Sequence, residues 1–276
     1  MSIEVVTLME NAALVDCLAS EHGLSLLISS EKRRILYDTG ASPRFFKNAR
    51  AMQLKLNPLD AVVLSHGHYD HTGGLSTLLC EGTLVETIYL GKNFFDGRYS
   101  QKREGRMEIG SAISQEAMSK FQIPMRVVED QPIDIGDGIW VVSGFSTTEE
   151  MERPSPKLLR QNERGMQPDC FEDEVAVVVE TEAELALISG CSHVGIVSMC
   201  TRVEKLFGRP VTTFLGGTHL MGADEARIQW TCDALKKKGV RRLGACHCSG
   251  EQAGAYFEVQ YPGYFENHVG SKVEIL

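Results

Sequence analysis

The sequence predicts an α/β fold, because short apolar runs typical of strands alternate with helix-like segments along the whole chain. No stretch rich in proline, glycine or serine divides the 276 residues, and no fixed-length repeat recurs. We therefore predict one domain over residues 1–276. A long polar loop, residues 146–171, is expected to act as a lid or substrate loop within it.

The first half of the chain is rich in predicted strands. Residues 24–28 and 34–37 are apolar runs that we expect to pair, and Asp38-Thr-Gly40 is a turn that ends the second. In chain order, the predicted elements are strands 24–28 and 34–37, helix 45–52, strands 61–64 and 84–90, and helix 111–121.

The second half repeats this alternation. In chain order, the predicted elements are strands 140–142, 175–179 and 185–188, helix 194–206, strand 211–215, helix 223–238, strand 243–246 and helix 250–257. Ser249 is the expected N-cap of the last helix, because a serine hydroxyl can accept a hydrogen bond from a first-turn N–H. Gly136-Asp-Gly138 is typical of a hairpin turn.

The composition argues against some classes of partner. There are 28 Lys and Arg against 37 Asp and Glu, a net charge of −9, and no basic block, so a nucleic acid is not expected. No apolar run reaches the ~18–20 residues of a membrane span, and residues 1–6 show neither a basic region nor a long apolar stretch, so no targeting signal is expected. We expect a cytoplasmic protein that acts on a small molecule. Nothing in the sequence indicates an oligomeric state.

The most informative segment is Ser65 to Leu75, which contains three histidines and an aspartate within six positions. His66, His68, Asp70 and His71 directly follow the apolar run 61–64, as in a buried strand that ends in a metal-binding loop. Neutral imidazoles and a carboxylate suit borderline divalent cations. The segment therefore predicts a metal site.

Three further apolar strands also end in small residues and a histidine, at His193, His219 and His247. Ligands gather at the carboxyl ends of strands in α/β sheets, so these rings are predicted to share a cavity with the first motif. The alternative for His193 and His247 is a structural role, and His219 could orient another ligand instead. Only His22 and His268 lie outside the pattern.

The cysteines and one basic segment leave alternatives open. The eight cysteines are at positions 17, 80, 170, 191, 200, 232, 246 and 248. All are expected to be thiols in a reducing compartment. Cys191, Cys246 and Cys248 lie within two residues of a candidate ligand histidine, so they are either soft ligands or buried space-filling thiols. The basic residues Arg98, Lys102, Arg103 and Arg106 either contact an anionic substrate or form a solvated face.

The first motif resembles the metallo-β-lactamase superfamily, whose fold is a four-layer αβ/βα sandwich with a dinuclear metal site on one edge. The resemblance is closer to the branch known as class II metal-dependent hydrolases. The segments that carry it are 21–25, 35–40, 64–75, 190–196, 216–220 and 246–250. They span most of the chain.

By that resemblance, His66 and His68 would bind a first metal, and Asp70, His71 and His247 a second. Many members place a bridging aspartate where this chain has Gly190-Cys-Ser-His193, so His193 is the expected replacement.

The carboxylates of residues 168–174 replace another common histidine, so the site could be rich in oxygen donors. One or two divalent ions are expected. Zinc is the first expectation, with iron, manganese or magnesium as alternatives.

The sequence is compatible with three functions. The first is a metal-dependent hydrolase that activates water against a small anionic phosphoester, lactone or thioester, with Asp70 and His219 as catalytic groups. The second is implied by relatives in the same branch, a transferase that joins a pterin-methyl diphosphate to a ribofuranosylaminobenzene phosphate. The third is a non-hydrolytic metal-containing binding or redox protein.

Overall fold

The structure is a computed structural model that describes residues 2–276. Its strands are β1 (Ile3–Met9), β2 (Ser25–Ser29), β3 (Arg34–Tyr37), β4 (Leu59–Val63), β5 (Val85–Gly91), β6 (Gly97–Lys102), β7 (Gly105–Glu108), β8 (Met125–Val128), β9 (Ile133–Asp134), β10 (Ile139–Val142), β11 (Leu158–Asn162), β12 (Gly165–Pro168), β13 (Ala176–Glu180), β14 (Leu185–Ser189), β15 (Thr213–Gly217), β16 (Arg242–Cys246) and β17 (Lys272–Ile275). Its α-helices are α1 (Arg44–Ala51), α2 (Tyr69–Thr72), α3 (Leu75–Cys80), α4 (Gln115–Ser119), α5 (Ile196–Phe207), α6 (Glu225–Lys238) and α7 (Glu251–Gln260), and 3₁₀ helices cover Glu150–Glu152 and His247–Ser249.

Two large sheets form the body of the protein. The first has the strand order β17-β1-β2-β3-β4-β5-β8, and the second has the order β16-β15-β14-β13-β10-β9. Neighbours are parallel from β3 through β4 and β5 to β8, and again from β14 through β15 to β16. The parallel strands of each sheet point their carboxyl ends to one edge, where the candidate ligands follow β4, β14, β15 and β16.

Helices cover both outer faces, which confirms the predicted four-layer αβ/βα sandwich. Val63 and Val177 belong to the buried layer between the two sheets. Their neighbours Val62 and Val178 point the other way, toward the helices that cover the first and second sheets respectively. Successive residues of a strand face opposite layers, and both layers are buried and apolar. The sequence of each strand is therefore a continuous apolar run.

Most predicted elements are present, with differences that have local causes. Helix 111–121 shrinks to α4, because Ser114 caps it by accepting the Ala117 N–H while the Ala112 N–H binds Thr72 Oγ1. The prediction of Ser249 as an N-cap is wrong. Its hydroxyl instead donates to the Cys246 carbonyl, and Gly250 precedes α7 without a side-chain cap.

Several strands were not predicted. β1 and β17 pair at the edge of the first sheet, and a small third sheet has the order β12-β11-β6-β7. β11 and β12 lie inside residues 146–171, so much of the expected loop is a hairpin. Its function as a lid stays a prediction. The hairpin turn at 136–138 is confirmed, between β9 and β10. Within residues 2–276, none of the helices is both long and apolar enough to cross a bilayer.

One buried carboxylate joins the 146–171 segment to the second helical layer. Glu152 accepts the N–H groups of Val197 and Ser198, at 2.8 and 2.7 Å, and also the Ser198 hydroxyl. Gly195, the residue that precedes α5, has no side chain with which to cap it. A carboxylate distant in sequence therefore satisfies the first N–H groups of α5 and complements the helix dipole.

We expect the substitution Glu152→Ala to lower the free energy of unfolding by about 2–4 kcal/mol, because it leaves buried N–H groups without an acceptor. Urea denaturation measures this. The control is Glu150→Ala, which changes an exposed residue in the same 3₁₀ helix and should alter stability by no more than about 0.5 kcal/mol. Equal stabilities of the two variants would contradict the capping role of Glu152.

Candidate metal centre

The predicted metal loop closes on itself directly after β4. The rings of His66 and His68 meet edge to face, with His66 Nε2 and His68 Nδ1 3.0 Å apart. The short helix α2 carries Asp70 and His71, and the ring of His71 lies 4.2 Å from that of His66. All four side chains are buried. Gly67 is required between them, because a Cβ there would lie 2.3 Å from the Phe94 carbonyl oxygen.

The structure places His193 beside the first two histidines of the motif. Its ring centroid is 4.9 Å from that of His66 and 5.0 Å from that of His68, and its ring stacks on that of Phe171 with the centroids 3.9 Å apart. The sequence predicts His193 as a replacement for a bridging aspartate, and this stays a prediction. A ring nitrogen of His193 lies within 4.8 Å of ring nitrogens of His66 and His68, so the three histidines form one donor set.

A second donor set forms around Asp70. Its Oδ2 lies 3.2 Å from His22 Nε2, 3.4 Å from His247 Nε2 and 3.8 Å from His71 Nε2. His247 arrives from the end of β16, as predicted. His22, from the loop between β1 and β2, was left outside the predicted pattern, although it belongs to the 21–25 segment that carries the family resemblance.

Unpaired ring nitrogens show that these sets fit a cation. Among the described residues, both ring nitrogens of His193 and the Nε2 of His247 are buried without a hydrogen-bond partner. Buried polar atoms are normally paired, and in each neutral ring the nitrogen that carries the lone pair can take a cation as its partner. The donor chemistry, imidazole with one carboxylate, fits a divalent metal ion.

Burial and neighbouring charges divide the ligands into neutral and charged groups. Burial lowers the pKa of His66, His68 and His193, that of His68 to about 3, so these imidazoles are uncharged at neutral pH and able to bind a cation. Burial also opposes protonation of His71, but the carboxylates of Asp38 and Asp70 overcome it and raise its pKa to about 9.

Asp70 responds in the opposite sense. Burial raises its pKa, but the adjacent imidazoles of His71, His22 and His247 outweigh this and hold the pKa well below its usual range. Asp70 is therefore a carboxylate at neutral pH and can serve as an anionic ligand.

The carboxylates of residues 168–174 do not join these donor sets, which corrects the expectation of an oxygen-rich site. Asp173 Oδ2 accepts the Gly67 N–H at 2.8 Å, and the two oxygens of Glu174 accept the N–H groups of His193 and Val194 at 2.6 and 3.0 Å. These side chains hold the ligand-bearing loops in place.

Arg98 fits neither of its two predicted roles, a contact with an anionic substrate or part of a solvated face. Its side chain is buried, and its guanidinium pairs with Asp173 at 2.7 Å and Asp169 at 3.1 Å. Its charge is therefore already compensated. Lys102, Arg103 and Arg106 lie exposed on the β6–β7 hairpin, and a contact with an anionic substrate stays a prediction for them.

His219, Cys191 and Cys248 lie next to the histidines of the two donor sets. The ring of His219 is half-buried at the end of β15, 4.1 Å from that of His193, and its catalytic role stays a prediction. Cys191, His219 and Cys248 bring donor atoms within 4.8 Å of one another. Cys246 points instead into the apolar layer between the sheets.

Comparisons with known proteins point to the same superfamily as the sequence motifs. A family profile described as the metallo-beta-lactamase superfamily matches residues 20–153. The chain is 32% identical to the 7,8-dihydropterin-6-methyl-4-(beta-D-ribofuranosyl)-aminobenzene-5'-phosphate synthase of Methanocaldococcus jannaschii, over 99% of this chain and 97% of the relative. An uncharacterised protein of the same organism is 28% identical over 93% of the chain and 94% of that relative. A solved metal-dependent hydrolase of the beta-lactamase superfamily superposes with a TM-score of 0.85 at 28% identity, covering 99% of each chain.

These relatives support an enzyme, but they overturn its first predicted function. A hydrolase was the leading prediction. The relative with 32% identity over nearly the whole chain is a synthase, and this favours the transferase alternative.

The Asp173 side chain provides a test of how the metal loop is held. We expect Asp173→Ala to weaken zinc binding by about 10–100-fold, because it removes the acceptor of the Gly67 N–H together with a carboxylate that pairs with Arg98. Competition with a chromogenic chelator measures the affinity. Asp169→Ala removes the other carboxylate that pairs with Arg98 but leaves the hydrogen bond to Gly67 in place, so its effect should be smaller. Equal effects of the two variants would contradict the anchoring role.

The neutral state of His68 predicts a pH dependence of stability in the metal-free protein. The pKa of His68 is about 3 in the folded chain against an ordinary 6.5, so the unfolded chain binds more protons between these values. Stability from this residue is therefore complete above about pH 6.5 and falls as the pH is lowered toward 3.

His68→Gln should accordingly reduce the slope of unfolding free energy against pH by up to about 1.4 kcal/mol per unit between pH 5 and 6. Urea denaturation in the presence of a chelator measures this slope. Above about pH 7 the two curves should run parallel. Parallel curves over the whole range would contradict a neutral, buried His68.

Proposed function

Because this chain belongs to the metallo-β-lactamase superfamily, we propose that it is a metal-dependent transferase that joins a pterin-methyl diphosphate to a ribofuranosylaminobenzene phosphate. The observation that carries the proposal is similarity to a synthase of that type along nearly the entire chain, at 32% identity. The aligned region covers 99% of this chain and so includes the segments that form both donor sets.

The proposed reaction forms one C–N bond and breaks one C–O bond. The amino nitrogen of the aminobenzene attacks the methylene carbon of the pterin, and diphosphate leaves with the electron pair of the broken bond. The nitrogen then loses one proton. An aryl-substituted ammonium is acidic enough to release that proton to water, so the reaction does not require the acid–base role predicted for His219.

The residues that would hold the metal fall into two sets. The first is His66, His68 and His193, and the second is Asp70 with His22, His71 and His247. A divalent ion bound there would offset the negative charge that develops on the departing diphosphate oxygen. The neutral imidazoles of the first set leave the net charge of such an ion largely uncompensated, which favours an anionic leaving group.

A transferase must also keep water from its reactive carbon. Phe171 is buried and covers one face of the His193 ring, so this wall of the site is apolar. Tight packing around the first donor set supports transfer to an amine over attack by water.

A cavity of about 450 Å³ opens beside His247 and supports an organic substrate next to the second donor set. Its lining includes the carboxylates of Glu251, Glu258 and Glu266 and the amide of Asn267. Carboxylates accept the N–H groups that the amino–keto edge of a pterin presents, and they repel phosphates. We therefore place the pterin, and not the phosphorylated ribose, in this cavity.

Incubation of the zinc-loaded protein with both substrates tests the proposal. We expect the coupled product, identified by mass spectrometry, and diphosphate in equal amounts, with diphosphate release dependent on the arylamine. His68→Ala should reduce turnover to background, because it removes a ligand of the first set. Diphosphate release at the same rate without the arylamine would indicate hydrolysis and overturn the proposal.

A further inference from the structure

Two buried sulfur atoms lie against the histidines without a role in the proposed reaction. Cys191 Sγ is 3.2 Å from His71 Nε2, and Cys248 Sγ accepts the backbone N–H of His219 at 3.3 Å. Cys191 follows β14, and Cys248 lies in the 3₁₀ helix after β16, so parallel strands of one sheet bring them together.

The backbone near the two sulfur atoms has a glycine and three residues with positive φ. A Cβ on Gly217 would lie 2.5 Å from Cys248 Sγ, so only glycine leaves room for the thiol at the end of β15. Ser192, His219 and His247, which flank the sulfur atoms in sequence or in space, all have positive φ between 50° and 55°. Such backbone is uncommon outside glycine and clusters at functional sites.

The donor spacing is compatible with one bound ion. The sulfur atoms of Cys191 and Cys248 and a ring nitrogen of His219 lie within 4.8 Å of one another. Around a tetrahedral zinc ion with bonds of about 2.3 Å to sulfur and about 2.0–2.1 Å to nitrogen, ligand atoms are about 3.5–4 Å apart. Small side-chain rotations would close the difference.

Cys191 also belongs to a second set. Its sulfur lies within 4.8 Å of ring nitrogens of both His66 and His71. The Cys191 thiol therefore lies between two groups of donors, His66 with His71 and His219 with Cys248. Its sulfur atom could bind a metal ion held by either group.

We propose that Cys191 and Cys248 bind metal as thiolates together with His219, and that the centre therefore selects zinc or ferrous iron over magnesium and manganese. Soft thiolate ligands favour the first pair, whereas carboxylate and carbonyl oxygens favour the second. Each thiol loses its proton to solvent as the metal–sulfur bond forms. The carboxylates of Asp173 and Glu174 are engaged elsewhere, which leaves few oxygen donors to compete.

X-ray absorption at the zinc edge of the unmodified, zinc-loaded protein tests this without substrate. We expect a sulfur shell at about 2.3 Å beside nitrogen and oxygen at about 2.0–2.1 Å. A spectrum without sulfur would overturn the proposal, as would thiol titration showing Cys191 and Cys248 joined in a disulfide in the zinc-loaded protein. Because no turnover is measured, the outcome is separate from that of the coupling reaction.

Single variants identify the sulfur atoms. Cys191→Ser and Cys248→Ser should each reduce the sulfur shell and weaken zinc binding at least tenfold, while binding of magnesium should be unaffected. Cys200→Ser is the matched control, because Cys200 is a buried thiol on α5 outside the donor sets. An unchanged sulfur shell in both test variants would assign the signal to other cysteines and overturn the proposal.

Discussion

The candidate metal centre depends on buried carboxylates that accept backbone N–H groups from the segments carrying the donors. Asp38 accepts the Ser65 N–H and also binds the His71 ring, both at 2.7 Å. Asp173 holds Gly67, Glu174 holds His193, and Glu10 accepts the His247 N–H at 2.6 Å. Buried charges persist only when they are paired or hydrogen-bonded, so each carboxylate fixes its loop as firmly as the loop satisfies the carboxylate. The donors are thereby held close together before any cation binds.

Backbone strain follows from the same arrangement. Asp38, Ser192, His219 and His247 each lie just beyond a parallel strand of the two sheets, and each has a positive φ between 50° and 59°. A strand that continued straight would carry its next side chain away from the shared edge. The left-handed residue turns the chain sharply, so that the next side chains or N–H groups face the centre. The packed sandwich and the buried hydrogen bonds offset the strain, as expected at a preorganised site.

The chemistry of the donors links this scaffold to function. The neutral imidazoles of His68 and His193 lie against the apolar ring of Phe171, while the carboxylates of Glu251, Glu258 and Glu266 line the separate cavity beside His247. Such a division suits a reaction in which an anionic group departs at the metal and an uncharged heterocycle is bound next to it. The same superfamily fold can support hydrolysis, so the reaction is set by what these residues exclude and orient, and not by the fold.

The sequence by itself determined the α/β class and the first corner of the site, and its family resemblance implied the four-layer sandwich. Apolar runs reveal strands buried on both faces, and the spacing of His66, His68, Asp70 and His71 reveals a metal loop, because both signals are local. It also located His193 and His247, since each follows such a run. Only the tertiary structure brought in His22 and turned residues 168–174 from candidate ligands into anchors. The sequence does not show whether a given glutamate or aspartate faces solvent or accepts a hydrogen bond from a buried N–H. Their partners here lie as far apart as Glu10 and His247, and only the packing of the two sheets brings them into contact.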